Sequence, residues 1–457
     1  MSHQTTNKCS FFDIETYGDD FKYLQGFGST FSSESLEGAL PVGQNCPQKC
    51  PYGLYAEQIS GTAFTAPRVR NQRTWFYRIR PSVVHYPFHP HRQKENSVRK
   101  VVSEFGSEYA TPQQLRWLPT QVPKEEEIDF VDGLTTMAGA GNAAHKSGFA
   151  IHMYHANKSM NKRAFCSADG DFLIVPQSGK LHIQTECGWL SVRPKEICVV
   201  PRGIRFSVQL KECDSASGYI AELFEGHFTL PDLGPIGANG LANPRDFCYP
   251  TACYEDVDDI EYEVIQKYQG KLFCANTDHS VFDVVAWHGN YAPYKYNLTL
   301  FNTINSVSFD HIDPCIFTVI TAQSNDPGVA VLDFVIFPPR HSVQENTFRP
   351  PYFHRNTMNE FMGLIEGKYE AKQTGFLPGG ASLHNCMSPH GPDRDTFEKA
   401  SNAELVAEKV AGGSLAFMFE STYMINPTEW AMTQAPLDKE YHQAWVPLEK
   451  HFSKDRK

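Results

Sequence analysis

The sequence lacks several features that would place it in common classes of protein. No stretch of its 457 residues approaches the ~18 uninterrupted apolar residues that a membrane-spanning helix needs. It also has no basic block, and a net charge of −11 is opposite in sign to the charge that binds nucleic acid or anionic lipid. We therefore expect no membrane segment and no nucleic-acid partner.

Signals for export and for cysteine-based sites are missing as well. The N-terminus, "MSHQTTNKCSFFDIETYGDD", has no apolar core of the kind found in signal peptides, so we expect a cytoplasmic protein. The most closely spaced of the 12 cysteines are Cys46/Cys50 and Cys248/Cys253, and neither pair forms CxxC. A zinc ribbon or thioredoxin-like site is not supported, and free thiols in a reducing compartment are expected.

What the sequence does contain favours β structure. Aromatic residues make up 13% of the chain, and 32 glycines and 30 prolines punctuate it. Residues 171–210 predict four short strands, and a helix is predicted over 402–411 because Gly412 follows as a stop signal. Further apolar runs of strand length lie at 281–287, 315–322, 331–337, 360–371 and 414–425. The predicted fold class is mostly β, built from jelly rolls or sandwiches with few helices.

Two turns hint at a weak internal duplication. "PRGIRF" begins at Pro201, and "PGGASLH" begins at Pro378. A Pro-x-Gly turn followed by histidine is typical of cupin jelly rolls. The second segment carries His384, whereas the first has Phe206 near the corresponding position. Only the second segment is therefore equipped for a metal, and the first predicts a degenerate cupin-like segment.

The stretch "RPPYFHRNTMNEFMGL" places His354 six residues before Glu360. In one strand the two would lie about 20 Å apart, so a shared ion requires the chain to reverse within "RNTMN". Downstream, His384 and His390 are also six residues apart. Two histidines and one carboxylate are typical of non-haem Fe(II) oxygenases. The spacing leaves two alternatives open, namely polar residues that cap turns and a site for another metal.

Other histidines lie in turn-like contexts. His85, His89 and His91 in "HYPFHPH" are interrupted by prolines and lack a nearby carboxylate, which favours a surface loop. His311 in "SFDHIDP" comes just before a predicted strand. This position is typical of a turn histidine, although a neutral imidazole there could also serve as a base.

Several long strings closely resemble the homogentisate 1,2-dioxygenase family. They include "LPDLGPIGANGLANPRDF" at 230–247, "VVAWHGNYAPYKYNL" at 284–298 and "FRPPYFHRNTMNEFMGL" at 348–364. The resemblance covers roughly residues 22–452. It implies an Fe(II)-dependent enzyme that uses O₂ to open the ring of homogentisate. The implied product is maleylacetoacetate, in tyrosine and phenylalanine catabolism.

The resemblance also implies an architecture. A large N-terminal β domain over 1–300 would contain the degenerate cupin-like segment, and a smaller cupin-like domain over 301–457 would hold the iron. The family assembles as a homohexamer made of two trimers. Two other functions remain open: a related ferrous ring-cleaving dioxygenase that acts on a substrate such as gentisate, and a non-catalytic cupin that binds without turnover.

Site residues follow from the resemblance position by position. The implied metal ligands are His354, Glu360 and His390, the implied base is His311, and the implied substrate contacts are Tyr369, His384 and His390. The cupin turn would instead nominate His384 as a ligand, and we follow the closer family. This chain departs from the family at His341, where the usual residue is tryptophan.

Overall fold

The structure is a computed structural model that describes residues 19–91, 100–121, 126–232, 241–304, 317–372 and 375–455. The strands before residue 300 are β1 Tyr23–Gln25, β2 Phe31–Glu34, β3 Tyr55–Ser60, β4 Arg73–Arg78, β5 His89–Pro90, β6 Leu115–Trp117, β7 Leu134–Asn142, β8 Ser147–Ala156, β9 Arg163–Ser167, β10 Asp171–Ser178, β11 Leu181–Thr185, β12 Gly188–Val192, β13 Glu196–Val200, β14 Phe206–Gln209, β15 Ala216–Leu223, β16 Phe247–Pro250, β17 Asp258–Tyr268, β18 Lys271–His279, β19 Val284–Gly289 and β20 Tyr294–Asn297.

The strands after residue 300 are β21 Thr318–Gln323, β22 Ala330–Phe337, β23 Arg340–Ser342, β24 Asn359–Glu366, β25 Ala381–His384, β26 Glu408–Val410, β27 Leu415–Ser421 and β28 Asn426–Pro427. The α-helices in the described ranges are α1 Arg394–Ser401 and α2 Glu429–Thr433. The prediction of a mostly β, cupin-like chain with few helices is confirmed. No helix in the described ranges has the length and apolar character that crossing a membrane requires.

Two large sheets form the N-terminal jelly roll. One has the strand order β1-β16-β20-β13-β10-β15-β8-β7-β28, and the other has the order β12-β11-β14-β9-β17-β18-β5. Aromatic rings join their inner faces. Phe165 on β9 lies 5.5 Å, between ring centroids, from both Phe172 on β10 and Phe206 on β14. Such buried rings contribute a large share of the apolar area that holds two sheets together.

A six-stranded sheet with the order β21-β22-β27-β24-β25-β6 carries the C-terminal part of the chain. Side chains alternate between its faces, as the two-residue period of a strand requires. Phe361 joins the main core, whereas Met362 and Met418 belong to a separate apolar cluster on the opposite face. Glu360 shares the face of Met362, so the strand period places a carboxylate beside this second cluster.

Strands cross the predicted boundary at 300/301 in both directions. β6, from the N-terminal part, pairs with β25 through Ser382↔Arg116, and β28, from the C-terminal part, pairs with β7. Tyr219 on β15 also donates to the Gly380 carbonyl at 2.7 Å. The division at 300/301 itself stays a prediction, and any such domains exchange strands.

Two element predictions were wrong. Residues 171–210 form five strands rather than four, because a tight turn at Glu186–Cys187 separates β11 from β12 without the Asn-Gly or Asp-Gly pair that usually signals a hairpin. The helix predicted at 402–411 lies earlier, at α1. Asp393 accepts from the Thr396 backbone N–H at 2.8 Å and begins that helix, and Glu408–Val410 pairs instead with Arg340–Ser342.

Candidate metal centre

The chain reverses between His354 and Glu360, as a shared site requires. Asn356 makes the turn, because its side-chain oxygen accepts from the Met358 N–H at 2.6 Å. Its side-chain amide also donates to Oε1 of Glu360 at 2.8 Å. One asparagine therefore both bends the chain and orients the carboxylate at the start of β24.

A two-residue antiparallel bridge brings the second histidine to the first. The His354 N–H donates to the His390 carbonyl at 2.9 Å, and the His390 N–H donates to the His354 carbonyl at 3.1 Å. The ring centroids of these residues lie 4.2 Å apart. Backbone pairing between two loops thus fixes the distance between two imidazoles that lie far apart in the sequence.

His354, Glu360 and His390 each present one ligand atom, and these atoms all lie within 4.8 Å of one another. Nε2 of His390 lies 3.1 Å from Oε2 of Glu360, and Nε2 of His354 lies 3.7 Å from Oε1. A second group of this kind in the described ranges is Asp20, His182 and Glu212, and its two carboxylates already bind the ammonium of Lys180.

Hydrogen bonds on the far side of each ring prepare both histidines for a metal. Nδ1–H of His354 donates to the Tyr352 carbonyl at 2.7 Å, and Nδ1–H of His390 donates to the Ser388 carbonyl at 2.9 Å. With the proton on Nδ1, the lone pair of Nε2 faces Glu360. Histidine ligands in metalloproteins are usually oriented in this way. The residues present therefore fit a divalent metal.

The protonation state of Glu360 also suits a metal ligand. Burial opposes its ionisation, but the three surrounding imidazoles of His354, His384 and His390 outweigh burial and hold its pKa well below the usual range. The carboxylate is therefore anionic at neutral pH. A metal ligand must be deprotonated, so the site needs no proton release from this residue.

His384 lies beside this group but presents its ring differently. It stacks on His390 at 4.3 Å between ring centroids, and its Nδ1 is 3.9 Å from Oε2 of Glu360. Burial lowers the pKa of His384 to about 4, so its imidazole is neutral. Tyr369 lines the small cavity onto which His354, Glu360, His384 and His390 open. His311 lies outside the described residues, and His341 is exposed on β23.

The sequence did not single out three side chains that surround the ligands. Glu420 lies opposite Glu360 on β27, and burial raises its pKa to about 8, with the Glu360 and Asp333 carboxylates acting in the same direction. Lys372 is buried in the cavity wall, and Tyr441 contacts His384. Glu420 could have been noticed as the lone charge in the apolar run "LAFMFES".

A cavity of about 50 Å³ opens on the ligand atoms. Apolar side chains, among them Phe337, Met362 and Met418, line it together with the polar group already described. The fold and the site define a class: jelly-roll proteins in which two histidines and one carboxylate are placed so that they could hold a metal, and this donor set indicates a metal cofactor.

Comparison with known proteins narrows this class. The profile "Homogentisate 1,2-dioxygenase N-terminal" matches residues 22–298, and "Homogentisate 1,2-dioxygenase C-terminal" matches residues 299–452. Proteins named homogentisate 1,2-dioxygenase from Oryza sativa subsp. japonica and Homo sapiens are 57% and 56% identical to this chain. The alignments cover 96% and 95% of this chain and 94% and 97% of those proteins. The chain belongs to the homogentisate 1,2-dioxygenase family.

Proposed function

We propose that this chain is an Fe(II)-dependent dioxygenase that opens the ring of homogentisate with O₂ to give maleylacetoacetate, in tyrosine and phenylalanine catabolism. The observation that carries the proposal is the group of His354, Glu360 and His390 in a chain that belongs to this family. Relatives that share more than half of its residues over nearly the whole chain support the same substrate.

Ferrous iron is the metal that we propose for the site. Two imidazoles and one carboxylate suit Fe(II) and leave coordination positions for other molecules. When bound, the iron would supply Lewis-acid activation of a substrate hydroxyl. In this proposal His354, Glu360 and His390 hold the ion.

The chain's own residues would bind and deprotonate the substrate. Tyr369 lies in the cavity wall, where its hydroxyl would contact homogentisate, and His384 would contribute a second polar group. The apolar residues beside them would exclude water from the reacting atoms. His311, which lies outside the described residues, is proposed as the base that takes the phenolic proton.

An oxygen electrode and a metal analysis test the proposal together. Purified protein should contain one iron per chain and consume O₂ with homogentisate, and gentisate should give little uptake. Faster uptake with gentisate would indicate a related ring-cleaving dioxygenase. Protein without stoichiometric metal or O₂ uptake would indicate a binding protein and contradict the proposal.

The role of His311 has its own test. His311→Phe should keep the iron and the melting temperature, and it should lower kcat by about 10²–10⁴-fold, the usual contribution of a positioned base. Raising the pH should recover part of the rate, because more of the phenol then ionises without a base. Loss of iron in this variant would instead make His311 a ligand.

The proposal extends to assembly and location. We propose a homohexamer built from two trimers, as in the family that the chain resembles; exposed apolar side chains such as Val42, Phe64, Val69 and Val83 would be available for contacts between chains. A cytoplasmic location is supported by the cysteines, which are free thiols wherever the structure describes them. The domains proposed are 1–300 and 301–457.

A further inference from the structure

The function proposed above assigns no role to the contact between Tyr441 and His384. The Tyr441 hydroxyl lies 2.9 Å from Nε2 of His384, and both residues are buried. The other ring nitrogen, Nδ1, is buried and makes no hydrogen bond to any described residue. It lies 3.9 Å from Oε2 of Glu360, so an unpartnered polar atom is directed at the proposed metal ligand.

The two neighbours of His384 favour one tautomer. A neutral imidazole has one N–H and one lone pair. If Nδ1 carries the proton, its N–H points towards the Glu360 carboxylate, which accepts hydrogen bonds. If Nδ1 carried the lone pair instead, that lone pair would face the lone pairs of the carboxylate oxygen, which is unfavourable. Nε2 must then accept, and the Tyr441 hydroxyl is the donor positioned to satisfy it. The hydrogen bond from Tyr441 therefore selects the tautomer with N–H on Nδ1.

Tyr441 is itself firmly held. The Arg116 guanidinium lies 4.3 Å from the centroid of the tyrosine ring, and its Nε–H donates to Asp438 at 2.8 Å. Trp445 packs on the same ring, with centroids 4.9 Å apart. Arg116 lies on β6, the strand from the N-terminal part that completes the C-terminal sheet. The position of the hydroxyl is thus fixed by residues from both the N-terminal and the C-terminal part of the fold.

We propose that Tyr441 is a positioning residue that keeps His384 out of the metal's ligand set. The Tyr441 hydroxyl donates a hydrogen bond to the lone pair of Nε2 and thereby keeps the proton of His384 on Nδ1. Neither ring nitrogen of His384 then has a free lone pair with which to bind a metal. The ligand set stays at two histidines and one carboxylate, and an N–H donor points into the cavity. This inference rests on the proposed metal ligands.

The test removes only the hydroxyl. Tyr441→Phe should keep one metal per chain and the wild-type melting temperature, and it should lower kcat by about 10–100-fold with little change in KM. Tyr423→Phe is the matched control, because it removes a hydroxyl that donates to Glu225 instead. With Co(II) in place of iron, the visible absorption should change for Tyr441→Phe and stay the same for Tyr423→Phe.

A double-mutant cycle separates positioning from general support of the fold. Because Tyr441 acts through His384, Tyr441→Phe in the His384→Ala background should lower kcat no further. An additive loss, or a Tyr441→Phe variant with wild-type kcat and Co(II) spectrum, would overturn the inference. Whichever result the Tyr441→Phe variant gives, O₂ uptake by the wild-type protein with homogentisate would show that the proposed function stands.

Neutron diffraction from wild-type crystals gives a second measurement that needs no variant. The expected result is a deuteron on Nδ1 of His384 and a Tyr441 deuteron directed at Nε2. A deuteron on Nε2 would overturn the inference even if Tyr441→Phe failed to fold.

Discussion

Tyr369 is held in the cavity wall by its aromatic neighbours. Its ring meets Phe337 and Phe376 edge to face, with centroids 5.5 and 5.9 Å away. A phenylalanine at this position would keep those contacts and lose only the hydroxyl. The packing thus allows the hydroxyl's contribution to be measured separately from the contribution of the ring.

Tyr369→Phe is predicted to raise KM for homogentisate by about 3–10-fold, the effect of losing one hydrogen bond. Metal content should stay at the wild-type value. Steady-state O₂ uptake measures the first quantity, and elemental analysis measures the second. Tyr52→Phe, on the exposed surface, is the control. An unchanged KM would remove Tyr369 from the proposed substrate site.

Lys372 shows why some site residues escape prediction from sequence. In "EAKQTGF" it has the context of a solvent-exposed loop lysine. The fold instead places its ammonium 2.7 Å from the Gly391 carbonyl and 4.0 Å from the ring centroid of Trp445. Burial lowers the pKa of Lys372 to about 7. Its burial depends on segments distant in sequence, which no local pattern encodes.

At the scale of elements, β24 carries the carboxylate and is packed tightly behind it. A Cβ at Gly363 would lie 2.4 Å from two ring atoms of Phe417. Glycine at this position leaves room for the ring of Phe417, its partner across the β24–β27 ladder. The ring covers the face of β24 opposite to Glu360.

Gly363→Ala is predicted to lower the free energy of unfolding by ~1–3 kcal/mol, because the buried Phe417 ring must move to make room. Chemical denaturation measures this change. Gly412→Ala is the matched control, since a Cβ there has no atom within 4 Å among the described residues, and its unfolding free energy should change little. Equal stability of the two variants would contradict this description of the strand.

Strand positions were the most predictable part of this fold. The run at 331–337 corresponds to β22, and 414–425 contains β27, because strands buried on both faces leave a local signal, a continuous apolar run of strand length. The hairpin turn at Glu186–Cys187 and the start of α1 were missed, since each depends on a hydrogen bond from one side chain or on pairing with a distant strand. The bridge between His354 and His390 depends on tertiary structure in the same way.

At the scale of the whole molecule, the N-terminal jelly roll and the C-terminal six-stranded sheet bury different kinds of charged group. In the jelly roll, the Lys267 ammonium lies 2.6 Å from Asp169 and 2.7 Å from Glu222, and His152 lies 3.0 Å from Glu222. All four side chains are buried. Lys267 thus supplies the positive charge that the buried carboxylates of the N-terminal jelly roll need. In the C-terminal sheet, the Glu360 carboxylate and its neighbouring imidazoles instead fit a metal ion.

Glu222→Gln is predicted to destabilise the protein by ~3–5 kcal/mol at pH 7, because Lys267 loses part of its compensation. Burial opposes ionisation of Glu222, but Lys267 and His152 outweigh it and lower its pKa from 4.5 to about 2. Its stabilisation is therefore complete above pH 4.5 and is lost as the pH falls towards 2.

Melting temperatures measured from pH 7 to pH 3 test this prediction. The variant should melt lower than the wild type at pH 7, and the difference should narrow below pH 4.5. Glu212→Gln, which removes a half-exposed partner of Lys180, should change the melting temperature little. A Glu222→Gln variant as stable as the wild type at pH 7 would show that the buried cluster does not need this charge.

The metal content of single histidine variants tests the central claim most directly, because His384 and His390 stack on each other and only one is proposed as a ligand. Elemental analysis should find one iron per chain in the wild type and in His384→Ala. It should find almost none in His354→Ala and His390→Ala, with all three variants folded by circular dichroism. Iron lost from His384→Ala but kept by His390→Ala would contradict the account.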